Sequence, residues 1–132
     1  MPAKTIKMNG LSRRSWCLAA LLALATTLVY IPALQAGFIW DDDRLFQHQN
    51  DIIQTPYGLY AMWFTGEAAD YFPLTYTTHW IEFQLWGADP TGYHVVNLLL
   101  HIVGSLLLWR VLLRLRIPGA WFAALVFAIH PV

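Results

Sequence analysis

Two runs of apolar residues, almost free of charge, set the architecture of this chain. Residues 16–34 (WCLAALLALATTLVYIPAL) carry no charged side chain at all. Coiled as a helix they would rise about 28 Å, close to the ~30 Å hydrocarbon core of a bilayer. Residues 95–113 (VVNLLLHIVGSLLLWRVLL) form a second run, interrupted only by Arg110 near its end. A third, AWFAALVFAIHPV, opens after Ile117-Pro118-Gly119 and is too short to cross. The pattern predicts an all-α integral membrane protein. It has a basic tail at 1–15, complete transmembrane helices at 16–34 and 93–113, a turn at 114–119 and the truncated start of a third helix at 120–132.

The long segment between the two spans, 35–92, has a different pattern. It holds most of the chain's Trp, Tyr and Phe residues, a composition that disorder disfavours. Trp and Tyr settle at the headgroup level of a bilayer, where one end of the ring is apolar and the other wet. Within it, residues 74–86 (LTYTTHWIEFQLW) place Leu74, Ile81 and Leu85 at helical spacing, with Thr78, His79 and Glu82 among the polar positions. Such a stretch predicts a helix lying in the membrane interface. Gly58, Gly66, Gly87, Pro73 and Pro90 punctuate the segment into two or three short helices.

Composition sharpens this picture. Of 132 residues, 58% are hydrophobic and 12% charged, against roughly 25% charged in ordinary globular domains. Eight basic residues balance eight acidic ones, so net charge suggests no nucleic-acid partner. Their layout says more than their sum. All the acids lie within 35–92, whereas every base except Arg44 lies outside it. The positive-inside rule then sets the amino terminus and the 114–119 turn in the cytoplasm and 35–92 outside. A cleaved signal peptide, with Leu34-Gln35-Ala36 as its processing site, is the rival reading, but the apolar run exceeds the 7–15 residues usual for such a region. The single cysteine, Cys17, excludes an intramolecular disulfide framework and a cysteine-rich zinc site.

Candidate chemistry falls in three places. Asp41, Asp42 and Asp43 follow Gly37-Phe38-Ile39-Trp40 just past the first span. Adjacent like charges resist full ionisation, which suits a proton acceptor or a cation site; a solvated helix cap or an outside topology signal explains the triplet as well. His94, Asn97, His101 and Ser105 recur at steps of three and four, hence on one face of the second span. That stripe reads first as hydrogen-bonding glue between helices, and second as a polar path. His130-Pro131 emerges on the same side as the acids, either to contact a ligand or simply to end the helix. No ligand pair has a recognised metal spacing, although His79, His94, His130 and the acids together leave a divalent cation open as a cofactor. There is no P-loop, dinucleotide fingerprint or serine nucleophile elbow.

The order of motifs resembles a known family. A first span followed by FIWDD (Phe38–Asp42), Gly58-Leu59, Trp63-Phe64, YFPLTYTTHW (Tyr71–Trp80), GYHVVNLLLH (Gly92 onward) and AIHPV (Ala128–Val132) is similar to the amino-terminal part of the transmembrane and tetratricopeptide-repeat O-mannosyltransferase-like proteins. The resemblance covers roughly residues 15–132. It implies a multi-span glycosyltransferase that moves sugar from a polyprenyl-phosphate donor to a hydroxyl acceptor, on protein Ser/Thr or on lipid, at the extracytoplasmic face. It also implies that the catalytic base is Asp41, with Asp42 beside it; Asp43, His94 and His130 are expected to serve substrate binding. Many relatives read Tyr-Arg-Pro-Leu where this chain reads Tyr71-Phe72-Pro73-Leu74, so a phosphate-binding arginine is not implied here. Two spans and part of a third cannot close a donor pocket, so the chain is expected to be an inactive fragment of a larger enzyme, set in a bacterial inner membrane rather than the endoplasmic reticulum. The alternatives are a noncatalytic anchor for a tetratricopeptide-repeat scaffold and a small transport component. Surrounding membrane lipid is a partner in every case.

Overall fold

The computed structural model describes residues 12–38, 51–67 and 71–130. Every regular element among them is helical: α1 (Arg13–Tyr30), continued by a 3-10 segment (Ile31–Gln35), α2 (Asp51–Gln54), α3 (Pro56–Phe64), α4 (Pro73–Trp86), α5 (Pro90–Arg114) and α6 (Ala120–Ile129). α1 with its 3-10 continuation, and α5, are long and apolar enough to cross a membrane. α6, at 10 residues, is a shorter apolar helix. The expected all-α membrane architecture therefore stands, with two span-length helices. By length α6 does not count as a third span.

Local chemistry explains the helix ends. Pro32 denies α1 a backbone donor and biases Ile31 away from α geometry, so the helix tightens to 3-10 at Ile31. α5 starts at Pro90, earlier than the expected 93, because Asp89 caps it: the Thr91 amide donates to Asp89 Oδ1 at 3.0 Å. At the other end Arg116 takes a left-handed φ of 56°. The Arg116 amide donates to the Leu113 carbonyl at 3.1 Å and the Ile117 amide to the Leu112 carbonyl at 3.0 Å. That pair of bonds is a Schellman ending, normally built on glycine. Pro118 then blocks further helix, and Gly119, with φ of 74°, opens α6.

The chain divides into two compact units, one of residues 1–30 with 99–132 and one of residues 31–98. In the first, Ala120, Ala124 and Ala128 line up one helical turn apart, fully or nearly buried, against Leu22 of α1 and Trp109 of α5. Small side chains at this spacing let helices approach closely where lipid provides no hydrophobic drive. Side chains then bond to backbone across the packing: Trp121 Nε1 donates to the Leu18 carbonyl at 3.0 Å and Tyr30 Oη to the His130 carbonyl at 2.7 Å. Buried Thr26 satisfies its hydroxyl on the Leu22 carbonyl of its own helix at 2.8 Å.

The second unit is built on Ile53, Met62, Tyr76 and Tyr93, with Phe38, Ile52, Trp80 and Trp86 around them. Gly58 is buried where a Cβ would run into the Ile52 backbone carbonyl, which is how α2 and α3 come so close. Trp80 Nε1 donates to the Thr55 carbonyl at 2.8 Å, and Trp63 Nε1 to Thr77 Oγ1 at 3.0 Å. The expected helix at 74–86 is present as α4, Pro73–Trp86. Leu74, Ile81 and Leu85 are exposed, while Glu82, grouped above with the polar positions, is 4% exposed. An exposed apolar face with a buried carboxylate suits a helix whose outer surroundings are not bulk water.

Candidate functional site

The acid triplet Asp41, Asp42 and Asp43 lies outside the described residues. What is described is the chain entering it. His94 Nε2 lies 3.1 Å from the Ala36 carbonyl. The Phe38 ring packs edge-on against Tyr93, with centroids 5.5 Å apart. The segment leading to the acids is thus fastened to the first two turns of α5 by two neighbouring side chains. Tyr93 is held in turn by donating from Oη to the Gly87 carbonyl at 2.7 Å.

The polar stripe of α5 resolves into separate roles. His94 ties α5 to the chain after α1. His101, in the other unit, sits 3.0 Å from the Ala128 carbonyl through Nε2, with Tyr30 and Phe127 against its ring at 5.3 Å. Ser105 is fully buried and donates to the His101 carbonyl of its own helix at 2.8 Å. Asn97 is exposed. His101 therefore acts as the interhelical glue expected from the spacing, His94 ties α5 to a non-helical stretch, and Ser105 turns back on its own helix. His130, an expected substrate contact, is the exposed C-cap of α6, its carbonyl taken by Tyr30. His94 belongs to one unit and His130 to the other. No group of three His, Cys, Asp or Glu residues that could hold a metal occurs among the described residues.

Sequence reasoning missed a further ionisable pair. His79 Nδ1 lies 3.0 Å from Glu82 Oε2, and the glutamate side chain is 5% exposed. A carboxylate so deeply placed needs such a partner. The i, i+3 spacing of the two was the available signal. At the unit's surface two hydrogen bonds shift titrations. The Thr91 backbone amide, with its hydroxyl adding to the effect, holds Asp89 below the usual aspartate range. Tyr57 is pushed up by its bond to Glu67, whose charge adds to the effect.

Similarity to known proteins bears on this geometry. Protein O-mannosyl-transferase tmtc2 of Xenopus laevis is 32% identical over 116 residues, 80% of this chain and 14% of that protein. Protein O-mannosyl-transferase Tmtc1 of Drosophila melanogaster is 31% identical over 126 residues, covering 86% of this chain and 14% of the relative. The human TMTC1 protein is 31% identical over 140 residues, covering 92% and 16%. Over four fifths or more of its length the chain is thus similar to TMTC O-mannosyltransferase-like proteins. It spans about a seventh of the length of the first curated TMTC relatives it matches. No protein-family model and no solved structure matches it.

Proposed function

We propose that this chain is the part of a TMTC-type membrane transferase that supplies the base for sugar transfer from a polyprenyl-phosphate donor to a hydroxyl, on protein Ser/Thr, at the extracytoplasmic face. The observation that carries the reading is the similarity over four fifths or more of the chain to proteins named protein O-mannosyl-transferase. The bond between the anomeric carbon and the donor phosphate oxygen breaks, and the acceptor oxygen bonds to that carbon. Asp41, or failing it Asp42, takes the hydroxyl proton, and polyprenyl phosphate leaves already stabilised. One base therefore suffices, unlike glycoside hydrolysis with its two carboxyls.

Chain connectivity supports the assignment. Asp41 follows Phe38 by three residues, a reach of at most about 11 Å, and Phe38 is packed on Tyr93 beside His94. Asp43 and His94, both in the unit of residues 31–98, are proposed to contact substrate. The basic flanks support a cytoplasmic amino terminus with 35–92 outside. The same layout serves a bacterial inner membrane, the setting expected above, and the endoplasmic reticulum. Two span-length helices do not enclose a lipid donor, so the 132-residue chain by itself should transfer nothing.

The test is transfer of mannose by membranes carrying the full-length protein. Asp41→Asn should lower the rate about 10²- to 10⁴-fold with insertion unchanged. Parental rates from Asp41→Asn, Asp42→Asn and the double variant would reduce the triplet to a topology signal and leave a noncatalytic anchor as the better account.

A further inference from the structure

Between α1 and the second half of α5 runs an open groove of about 270 Å³, lined by Trp16, Ala19, Val103, Leu107, Trp109 and Arg110 among others. Its walls are almost wholly apolar, Arg110 lending its aliphatic stem to them. Trp16 at its edge is 62% exposed, Val103 51% and Leu107 60%. Trp109, itself 5% exposed, has an indole N–H with no acceptor among the described residues. It also walls a neighbouring groove at whose edge Arg14 sits.

Charge decides what fits. The unit formed by residues 1–30 and 99–132 contains no Asp or Glu anywhere in its sequence. Its described arginines, Arg13, Arg14, Arg110, Arg114 and Arg116, are all exposed. The one ion pair among the described residues, His79 with Glu82, belongs to the other unit. Arg110 therefore has no carboxylate within its own unit. It also lies one helical turn before Arg114, on the wall of an apolar groove between two span-length helices. A guanidinium in that setting holds a phosphate well, because it is always charged and offers planar donors. Basic pockets between membrane helices are seats for anionic headgroups.

We propose that this groove binds an anionic phospholipid, with the headgroup phosphate on Arg110 and one acyl chain along Ala19, Val103 and Leu107. The site is separate from the transfer chemistry and does not depend on it.

Native mass spectrometry of the whole chain, released from bilayers of phosphatidylglycerol and phosphatidylcholine with matched acyl chains, tests this. The unmodified protein should retain phosphatidylglycerol preferentially. Arg110→Gln should cut that preference about fivefold, the worth of one basic group near an anionic surface, and Arg110→Lys should keep most of it. Arg116→Gln, outside the groove lining, should leave more preference than Arg110→Gln. Val103→Trp, which fills the groove while leaving every charge in place, should abolish retention. Equal retention of the two lipids, a dimer carrying no lipid, or an unchanged preference in Arg110→Gln or Val103→Trp would overturn the proposal. Circular dichroism showing parental helicity in each variant keeps loss of binding distinct from loss of fold.

Discussion

At the scale of single residues, a few positions carry consequences out of proportion to their size. Arg116 holds a left-handed conformation that glycine adopts freely and other L-residues resist. Arg116→Gly should therefore stabilise the α5–α6 turn by about 1 kcal/mol, read as a rise in the thermal midpoint of the solubilised protein. Gly58→Ala should act oppositely. Its Cβ meets backbone, not a flexible side chain, so α2 or α3 must shift, and overpacking of this kind costs about 1–3 kcal/mol. The buried Glu82 makes a third case. His79→Ala removes a hydrogen-bonding partner from its carboxyl, which should destabilise the unit by about 1–3 kcal/mol. Adding Glu82→Leu should restore part of that loss, as a double-mutant cycle would measure. Asp89 titrates visibly. Its pKa is lowered by the Thr91 amide, so the stabilisation it gives the α5 start is present above the unfolded value of about 3.9 and is lost as pH falls through the lower folded value. The Thr91 amide resonance should report a midpoint below 3.9; a midpoint at or above it would mean the cap does not form.

At the scale of elements, α1 and α5 were legible because a charge-free run of bilayer length has few soluble explanations. The 3-10 ending of α1 and the early start of α5 depend on Pro32 and on the Asp89–Pro90 cap, where one residue decides the geometry. The burial of Glu82 on α4 was not legible. Periodicity identifies which residues share a face, but it does not say whether the apolar face meets protein or lipid, and in this unit Tyr76 and Glu82 turn inward. Of the candidate site, His94 could be placed on a helix face from its spacing. Its partner, the Ala36 carbonyl, lies 58 residues away in sequence and leaves no pattern in it. Nitroxide labels at Leu74, Ile81 and Leu85, all exposed, should report the depth of the membrane interface. Labels there tumbling as in bulk water would show that α4 faces solvent.

At the scale of the whole molecule, the separation of charge is the organising fact. The unit of residues 31–98 contains every acid, and the other unit carries no acid and seven of the eight basic residues. The reading of function turns on that separation: the acids must face the side where a lipid-linked donor presents its sugar. Cysteine labelling in sealed cells measures it directly. With the exposed Cys17 changed to serine, Glu67→Cys, at an exposed position of the acidic unit, should react with a membrane-impermeant maleimide before permeabilisation, and Ser12→Cys only after it. Glu67→Cys that reacts only once the membrane is opened would put the acidic unit in the cytoplasm and contradict the account.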